Sequence, residues 1–407
     1  MTATQTLGAS RASTDITLQL LDADGTTRAT ELLAAPAFAK PTGPLRSRTL
    51  YAAAHVIPKV HAENVPGAPA DIDWDATLDY RRQIFSWGLG VADAMDTAQR
   101  NMGLDAAATR ELIAKSAECA REAGGSVAVG VNTDGRAEEQ LSLQEIETAY
   151  LEQLAFAQEQ GVTPVLMSSR HLARAATSAA DYLRVYDRVL REASSKVIIH
   201  WLGTAFDPQL EGYFGYRDWR TAADYLLEIV DSHAAKIAGI KMSLLDADAE
   251  RYVRGQLPED VTMFTGDDFN YVELIRADEA GEYSDALLGA FSVLAPNASA
   301  AVQALDAGDV EGFTRILEPT QELSRQVFAA PTFYYKTGVA FMSWLNGHQP
   351  AFKMVGGLHS ARSLPHLSRI VELANASGAL ERPEFAAERW HSMLRLDGVL
   401  DAGEVRA

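Results

Sequence analysis

A lysine lies inside the apolar segment Ile237-Ala-Gly-Ile-Lys-Met-Ser243, which is typical of a buried strand. In a barrel strand the side chain of Lys241 would point inward, and burial disfavours the ammonium, lowering the lysine pKa by up to ~3–5 units. The neutral amine is the form that attacks a ketone or aldehyde to give a Schiff base. The alternative is a strand-end lysine that forms an ion pair with Asp267 or Asp268, and spacing alone leaves both readings open.

Other apolar segments also end in polar side chains that could bind a small molecule or move protons. In a barrel of parallel strands these ends meet at one face, where reactive groups lie. His200 has an ordinary pKa near neutrality, which suits an acid–base catalyst. The candidates for substrate contact are His55, Asp96, Thr97, Asn132, Arg170, His171, Ser243, Asp267 and Asp268.

Eight strand-like segments must position these side chains, and amphipathic helical patterns separate them. One helix opens with the capping box Ser142-Leu-Gln-Glu145. Alternating strands and helices predict a parallel sheet, and eight repeats over about 250 residues predict a (β/α)8 TIM barrel. An open doubly wound sheet is the alternative, but the chain has no GxGxxG or Walker A sequence. The segments are Leu50–Ile57, Leu89–Ala94, Val127–Val131, Pro164–Met167, Lys196–Leu202, Ile237–Met242, Val261–Thr265 and Ala286–Leu294.

Two flanking segments are expected outside the barrel, which should span residues 49–300. Residues 1–48 form a predicted N-terminal arm, with a β-hairpin that turns at Asp24-Gly25. Residues 301–407 have helical patterns interrupted by glycine and proline, and we expect a C-terminal helical extension packed on the barrel.

The composition restricts the class of protein. The chain has 407 residues, of which 47% are hydrophobic and 22% charged, as in ordinary globular enzymes. The net charge of −19 argues against a nucleic-acid partner and against anionic membrane surfaces. The single cysteine, Cys119, excludes an intramolecular disulfide and a Cys-rich metal site. We find no apolar run of ~18 residues and no signal-peptide core, so we expect a cytoplasmic protein without membrane contact.

Two segments resemble the dihydrodipicolinate synthase / N-acetylneuraminate lyase family of class I aldolases. That family has a Gly-Ile/Val-Lys strand followed by a Ser-Gly-Asp-Asp strand, and here Gly239-Ile-Lys241 precedes Phe264-Thr-Gly-Asp-Asp268. The resemblance covers about residues 49–380 in order and spacing. It implies a class I aldolase barrel, Lys241 as the Schiff-base lysine, and a homodimer or homotetramer. Weaker similarities lie at Ala286–Val293 and Gly357–Pro365.

Three strand ends depart from the pattern of that family. Where the family has Gly-Thr-Thr-Gly-Glu to hold the substrate carboxylate, this chain has Asp96-Thr-Ala-Gln-Arg100 and keeps only the first threonine, Thr97. His200 occupies the position of the family's proton-shuttling tyrosine, and Ser168-Ser-Arg-His171 replaces a Pro-Tyr-Tyr run. The resemblance therefore implies the Schiff base but not the pyruvate and aspartate-semialdehyde chemistry of the family.

We expect a lyase, an aldolase or a hydro-lyase (dehydratase) that needs no cofactor. Lys241 would condense with the carbonyl of a small hydroxylated 2-oxo acid or keto-sugar derivative, and His200 would move protons. Arg170 or Arg100 could hold an anionic group of the substrate. The aromatic segment Phe206–Trp219 fits either a lid or an oligomer contact.

Two other function classes stay open from the sequence. A metal-dependent sugar isomerase or lyase could bind zinc or manganese, although the chain has no HxH or HExxH spacing. A non-catalytic binding protein could have kept the barrel after losing the parent chemistry. The donors available for a metal are His55, His171, His200, Asp96 and Asp268.

Overall fold

A closed barrel of eight parallel strands forms the centre of the molecule in the computed structural model, which describes residues 11–400. Strand β10 pairs in parallel with β3 and closes the barrel. This architecture confirms the predicted (β/α)8 TIM barrel and not the open sheet. The barrel strands are β3 (Leu50–Ala53), β4 (Gly90–Asp93), β5 (Val127–Val131), β6 (Thr163–Met167), β7 (Val197–Leu202), β8 (Ile237–Ser243), β9 (Thr262–Thr265) and β10 (Asp285–Leu288).

Apolar side chains fill the barrel interior below the carboxyl ends of the strands. Tyr51, Val165, Ile198, Phe264 and Leu287 belong to one buried cluster there. Because side chains alternate between the two faces of a strand, the residue two places after Ile198 also points inward. That residue is His200, so polar groups begin where the apolar layer ends.

Fourteen α-helices surround and extend the barrel within the described residues. The predicted capping box is present, because the Ser142 amide donates to Glu145 Oε2 at 2.8 Å and the Glu145 amide donates to Ser142 Oγ at 3.3 Å. None of these helices is long and apolar enough to cross a membrane. They are α1 (Trp74–Ser86), α2 (Ala106–Ala123), α3 (Leu143–Glu159), α4 (Arg170–Ala175), α5 (Ala179–Glu192), α6 (Trp219–His233), α7 (Ala247–Arg254), α8 (Tyr271–Ile275), α9 (Ala295–Asp306), α10 (Val310–Leu317), α11 (Thr320–Val327), α12 (Tyr335–Leu345), α13 (Leu364–Ser377) and α14 (Pro383–Leu396).

The predicted N-terminal hairpin is confirmed as β1 (Ser13–Leu21) and β2 (Thr27–Leu33), which pair antiparallel. It packs on the C-terminal helices α13 and α14. The Gln19 amide donates to His391 Nε2 at 2.9 Å, and the Leu21 amide donates to Ser368 Oγ at 2.7 Å. The predicted ends of the arm and the extension, residues 1–10 and 401–407, lie outside the described residues. The boundaries at 48 and 300 stay a prediction.

Candidate active site

Lys241 lies on β8 near its carboxyl end, paired in register with His200 on β7 and Phe264 on β9. Its side chain is buried, with 8% of the residue exposed. Burial lowers the pKa of Lys241 to about 8, and the negative charges of Asp96 and Asp268 oppose that shift. The amine therefore loses its proton far more readily than an exposed lysine.

Gly266 leaves the space that Lys241 and Ser243 occupy. A Cβ atom at position 266 would lie 2.1 Å from Ser243 Oγ and 3.0 Å from Lys241 Cε. Gly239 is restricted in the same way, since a Cβ there would lie 2.4 Å from the Thr262 carbonyl oxygen. Steric crowding therefore explains the glycines in the sixth- and seventh-strand motifs. Gly266 is the one that leaves room for the lysine side chain.

Two adjacent carboxylates after β9 have different roles. Asp268 is buried, and its Oδ1 accepts a hydrogen bond from the Ala290 amide at 2.9 Å. Burial raises the pKa of Asp268, while the charge of Lys241 lowers it. Asp267 instead caps the loop, because its Oδ1 accepts from the amides of Phe269 at 2.8 Å and Asn270 at 3.0 Å. Of these two carboxylates, Asp268 is therefore the one whose charge acts on Lys241.

His200 is completely buried, and its Nε2 lies 3.1 Å from Ser243 Oγ. Among the described residues its Nδ1 has no hydrogen-bond partner. Burial and the positive charge of Lys241 hold the pKa of His200 well below 6.5. The sequence-based expectation of a pKa near neutrality for His200 is therefore wrong, and the imidazole is neutral at pH 7.

Thr97 connects the end of β4 to the C-terminal extension. It is buried in a short 3-10 turn, and its Oγ1 lies 2.7 Å from Tyr335 Oη on α12. Burial and the charge of Asp96 raise the pKa of Tyr335, so the phenol stays protonated. The Tyr335 ring stacks on Phe328, with the ring centroids 4.4 Å apart. Asp96, Thr97 and Tyr335 therefore form one polar edge of the site.

A cavity of about 230 Å³ opens at this end of the barrel. Asp96 belongs to its wall and also influences the pKa of Lys241, so the cavity and the lysine share that carboxylate. Of the predicted substrate contacts, the structure brings Asp96, Asn132, Arg170 and His171 together around it.

The polar atoms of His171 and Asn132 are held by the protein. His171 Nδ1 lies 2.8 Å from Thr133 Oγ1, and its Nε2 lies 2.9 Å from the Glu138 carbonyl oxygen. Asn132 Oδ1 accepts from the Thr133 amide at 2.7 Å. Both side chains shape the cavity wall.

The two candidate arginines differ in their free donors. Every N–H of Arg100 has an acceptor in the protein, so its guanidinium is saturated. Arg170 lines the cavity and donates from Nε to Asp207 Oδ2 at 2.5 Å, with 35% of its side chain exposed. Arg170 is therefore the arginine that can reach a ligand. The acceptors around Arg100 belong to Ala94, Gly130, Asp134 and Gln153.

His55 has a position outside this cavity lining. Its Nε2 lies 2.6 Å from Gln349 Oε1, and its ring packs edge-on against Tyr80 at 5.0 Å. Burial lowers its pKa to about 4. His55 therefore joins the barrel to the C-terminal extension, and its predicted contact with substrate has no support from this placement.

The candidate metal ligands do not converge. Within residues 11–400, no group of three or more His, Cys, Asp and Glu side chains is placed to hold a metal ion. His55, His171 and His200 have separate partners in Gln349, Thr133 and Ser243. The alternative of a metal-dependent isomerase therefore gains no geometric support.

Tyr335 and Lys336 belong to the candidate site but were not predicted from the sequence. Lys336 is only 2% exposed and lines the cavity, and burial lowers its pKa to about 8. The available signal was a charged residue in the otherwise uncharged segment Tyr335–Leu345.

The aromatic segment Phe206–Trp219 is only partly buried, since Tyr216 is exposed. Tyr213 and Phe214 are buried, and they pack on Tyr182 and Trp201 with ring centroids 4.8 Å and 5.3 Å apart. Phe206 is also buried and lines the cavity. The lid and the oligomer contact therefore both stay predictions for the exposed part of this segment.

The sequence matches, over residues 18–399, the family described as "Protein of unknown function (DUF993)". The chain belongs to this family. A comparison with curated proteins finds no match.

Solved structures show the same fold as this DUF993 protein. YagE, a prophage protein of the dihydrodipicolinic acid synthase family from E. coli K12, has a TM-score of 0.60 at 13% identity, covering 87% of this chain and 99% of its own. Dihydrodipicolinate synthase from Aquifex aeolicus has a TM-score of 0.58 at 13% identity, covering 86% and 98%. The dihydrodipicolinate synthase DapA-2 from Bacillus anthracis has a TM-score of 0.59 at 13% identity, and the match covers 80% of this chain and 98% of DapA-2. The expected resemblance is confirmed at the level of the fold. The homodimer or homotetramer and the cytoplasmic location stay predictions.

Proposed function

We propose that this DUF993 protein is a class I lyase in which Lys241 forms a Schiff base with a small hydroxylated 2-oxo acid or keto-sugar derivative. The observation that carries the proposal is the buried Lys241 amine at the carboxyl end of β8, with its pKa lowered and Asp268 beside it. Active sites of TIM barrels lie at this end of the strands. Cleavage of a C–C bond or loss of water would follow from the same intermediate.

The proposed reaction begins when neutral Lys241 Nζ attacks the carbonyl carbon of the substrate. A C–N bond forms, the carbonyl π bond breaks, and protonated Asp268 delivers its proton to the oxygen. The carbinolamine then loses water to give an iminium ion, which accepts the electron pair of the breaking C–C or C–H bond. Asp268 suits this role because its raised pKa lets it hold and release a proton near neutral pH.

His200 has a supporting part in this mechanism. Its imidazole is neutral, lies in register with Lys241 and contacts Ser243 Oγ. A neutral imidazole can accept a hydrogen bond from a substrate hydroxyl or relay its proton through Ser243, whereas a pKa well below 6.5 makes it a weak base. We therefore assign the main proton transfer to Asp268 and the relay to His200.

Reductive trapping tests the proposal. The protein would be incubated with sodium borohydride and pyruvate, hydroxyacetone, dihydroxyacetone phosphate or 2-keto-3-deoxygluconate, and the labelled peptide mapped by mass spectrometry. Pyruvate is included because the similar YagE structure holds it. We expect an adduct on Lys241 that Lys241→Met removes and that Lys196→Met, at an exposed lysine, retains. A panel that leaves Lys241 unlabelled contradicts the proposed function.

A further inference from the structure

Lys336 reaches the cavity from α12, outside the barrel, and is the second buried lysine of the site. Its Nζ donates to the Phe333 carbonyl oxygen at 2.9 Å and lies over the rings of Phe333 and Tyr335, 4.9 Å and 4.5 Å from their centroids. That is its one hydrogen bond to residues 11–400. An ammonium has three N–H donors, so two remain for a ligand.

Arg170 lines the same cavity as Lys336. Asp207 accepts from Arg170 Nε, and its Oδ1 also accepts from the Gln209 amide at 3.1 Å, which fixes the carboxylate. The charges of both Asp207 and Arg170 affect the pKa of Lys336, so the three groups are electrostatic neighbours. Asp207 therefore holds the guanidinium by one edge and leaves its Nη groups for a ligand.

The charge of the cavity differs from that of the whole chain. Five basic and five acidic side chains line it, whereas the chain has a net charge of −19. An anion that enters the cavity is therefore spared the repulsion expected elsewhere on this acidic protein. Arginine and lysine are the side chains that most often bind carboxylate and phosphate groups.

We propose that Lys336 and Arg170 form a subsite for an anionic group, a carboxylate or a phosphate, carried by the carbonyl substrate. This inference rests on the proposed Schiff-base function, because it places the anionic group at Lys336 while the carbonyl carbon lies at Lys241. Asp96 is an electrostatic neighbour of both lysines, since its charge raises the pKa of each. Lys336 is thus a specificity-determining residue and not a second nucleophile.

Matched pairs of probes test the subsite. Pyruvate and hydroxyacetone differ by a carboxylate in place of a hydroxymethyl group, and dihydroxyacetone phosphate and dihydroxyacetone differ by a phosphate. In borohydride trapping, Lys336→Met should raise the half-saturating concentration of one anionic probe about 10-fold or more and leave its neutral partner unchanged. Lys336→Arg should restore part of the loss, and Arg170→Met should have a weaker effect in the same direction. The probe that responds identifies carboxylate or phosphate.

Controls separate the failure of the subsite from that of the proposed function. Lys196→Met should behave as wild type, and circular dichroism should show that Lys336→Met is folded. If wild type is labelled on Lys241 and Lys336→Met binds both anionic probes unchanged, the subsite is overturned. A borohydride adduct on Lys336 also overturns the subsite, because Lys336 would then be a nucleophile and not an anion-binding residue. If wild type is not labelled, thermal unfolding with inorganic phosphate or acetate tests the subsite separately. Loss of the anion-induced rise in unfolding temperature in Lys336→Met supports the subsite. An equal rise in Lys336→Met and wild type, or no rise in wild type with either anion, overturns it.

Discussion

The hydroxyl groups of Thr97 and Tyr335 lie 2.7 Å apart, and this contact joins the end of the second barrel strand to a helix outside the barrel. Two other contacts link the same regions. His55 Nε2 lies 2.6 Å from Gln349 Oε1, and Gln99 Nε2 donates to the Val355 carbonyl oxygen at 2.9 Å. The C-terminal extension therefore contributes to the candidate active site as well as to the fold.

The first prediction concerns the coupling between Thr97 and Tyr335. Tyr335→Phe and Thr97→Val should each lower the free energy of unfolding by about 1 kcal/mol, because each leaves a buried hydroxyl without its partner. The double variant should lose little more than either single variant. Urea unfolding of all four proteins measures this coupling, and strictly additive losses would show that the two hydroxyls act independently.

The second prediction concerns the pH dependence of trapping at Lys241. The neutral amine reacts while protonated Asp268 supplies a proton, so the rate should rise with pH toward a maximum between the raised Asp268 pKa of about 7 and the lowered Lys241 pKa of about 8, and then fall. The negative charge of Asp268 raises that pKa, so Asp268→Asn should shift the rise to lower pH. Initial rates of labelling across the range from about pH 6 to about pH 10 measure the shift. Asp248→Asn, at an exposed carboxylate, is the control and should leave the pH profile unchanged. If the rise for Asp268→Asn is unshifted or moves to higher pH, Asp268 does not raise the pKa of Lys241.

The third prediction concerns the space beside the lysine. Gly266→Ala introduces a Cβ that overlaps Ser243 Oγ and presses on Lys241 Cε, so labelling of Lys241 should fall strongly. Overpacking of this kind also costs about 1–3 kcal/mol of stability. Gly43→Ala is the matched control, since nothing lies within 4 Å of its new Cβ. Mass spectrometry and thermal unfolding measure the two effects, and normal labelling in Gly266→Ala would contradict the proposed position of the amine.

The fourth prediction concerns stability in acid. Burial lowers the pKa of His55 from 6.5 to about 4, so the unfolded chain binds this proton more readily than the folded protein. The stability contributed by neutral His55 is complete above pH 6.5 and is lost as the pH falls toward 4, up to ~3 kcal/mol. His55→Gln should therefore lose less stability than wild type between about pH 7 and about pH 5. The midpoints of urea unfolding at the two pH values measure the loss of stability, and His61→Gln, at an exposed histidine, is the control. Equal losses in His55→Gln and wild type would show that protonation of His55 does not cause the loss.

The sequence allowed all eight barrel strands to be predicted, because apolar runs alternate with amphipathic helices. The ends were less accurate. The first strand was expected to reach Ile57 but stops at Ala53, and the eighth was expected to reach Leu294 but stops at Leu288. In both cases the chain stays buried after it leaves the sheet. Apolar composition therefore continues where strand geometry ends.

The site was predictable where neighbouring strands build it. Lys241, Ser243 and His200 lie on adjacent strands, so order and periodicity bring them together. Tyr335 and Lys336 were missed because their contact with the barrel depends on the path of a distant helix. Thr97 and Tyr335 are 238 residues apart in the chain. No local pattern specifies a contact over that separation.

Because α12 supplies part of the cavity wall, the cavity is completed late in the synthesis of the chain. A ribosome makes the eight barrel strands before it reaches residue 335, and the hairpin at Ser13–Leu33 acquires its partners on α13 and α14 later still. A nascent chain that has just completed the barrel has Lys241 on β8 but lacks the part of the cavity wall that Phe333 and Lys336 supply. The anion subsite proposed at Lys336 and Arg170 can therefore form only after α12 has been made and has packed on the barrel.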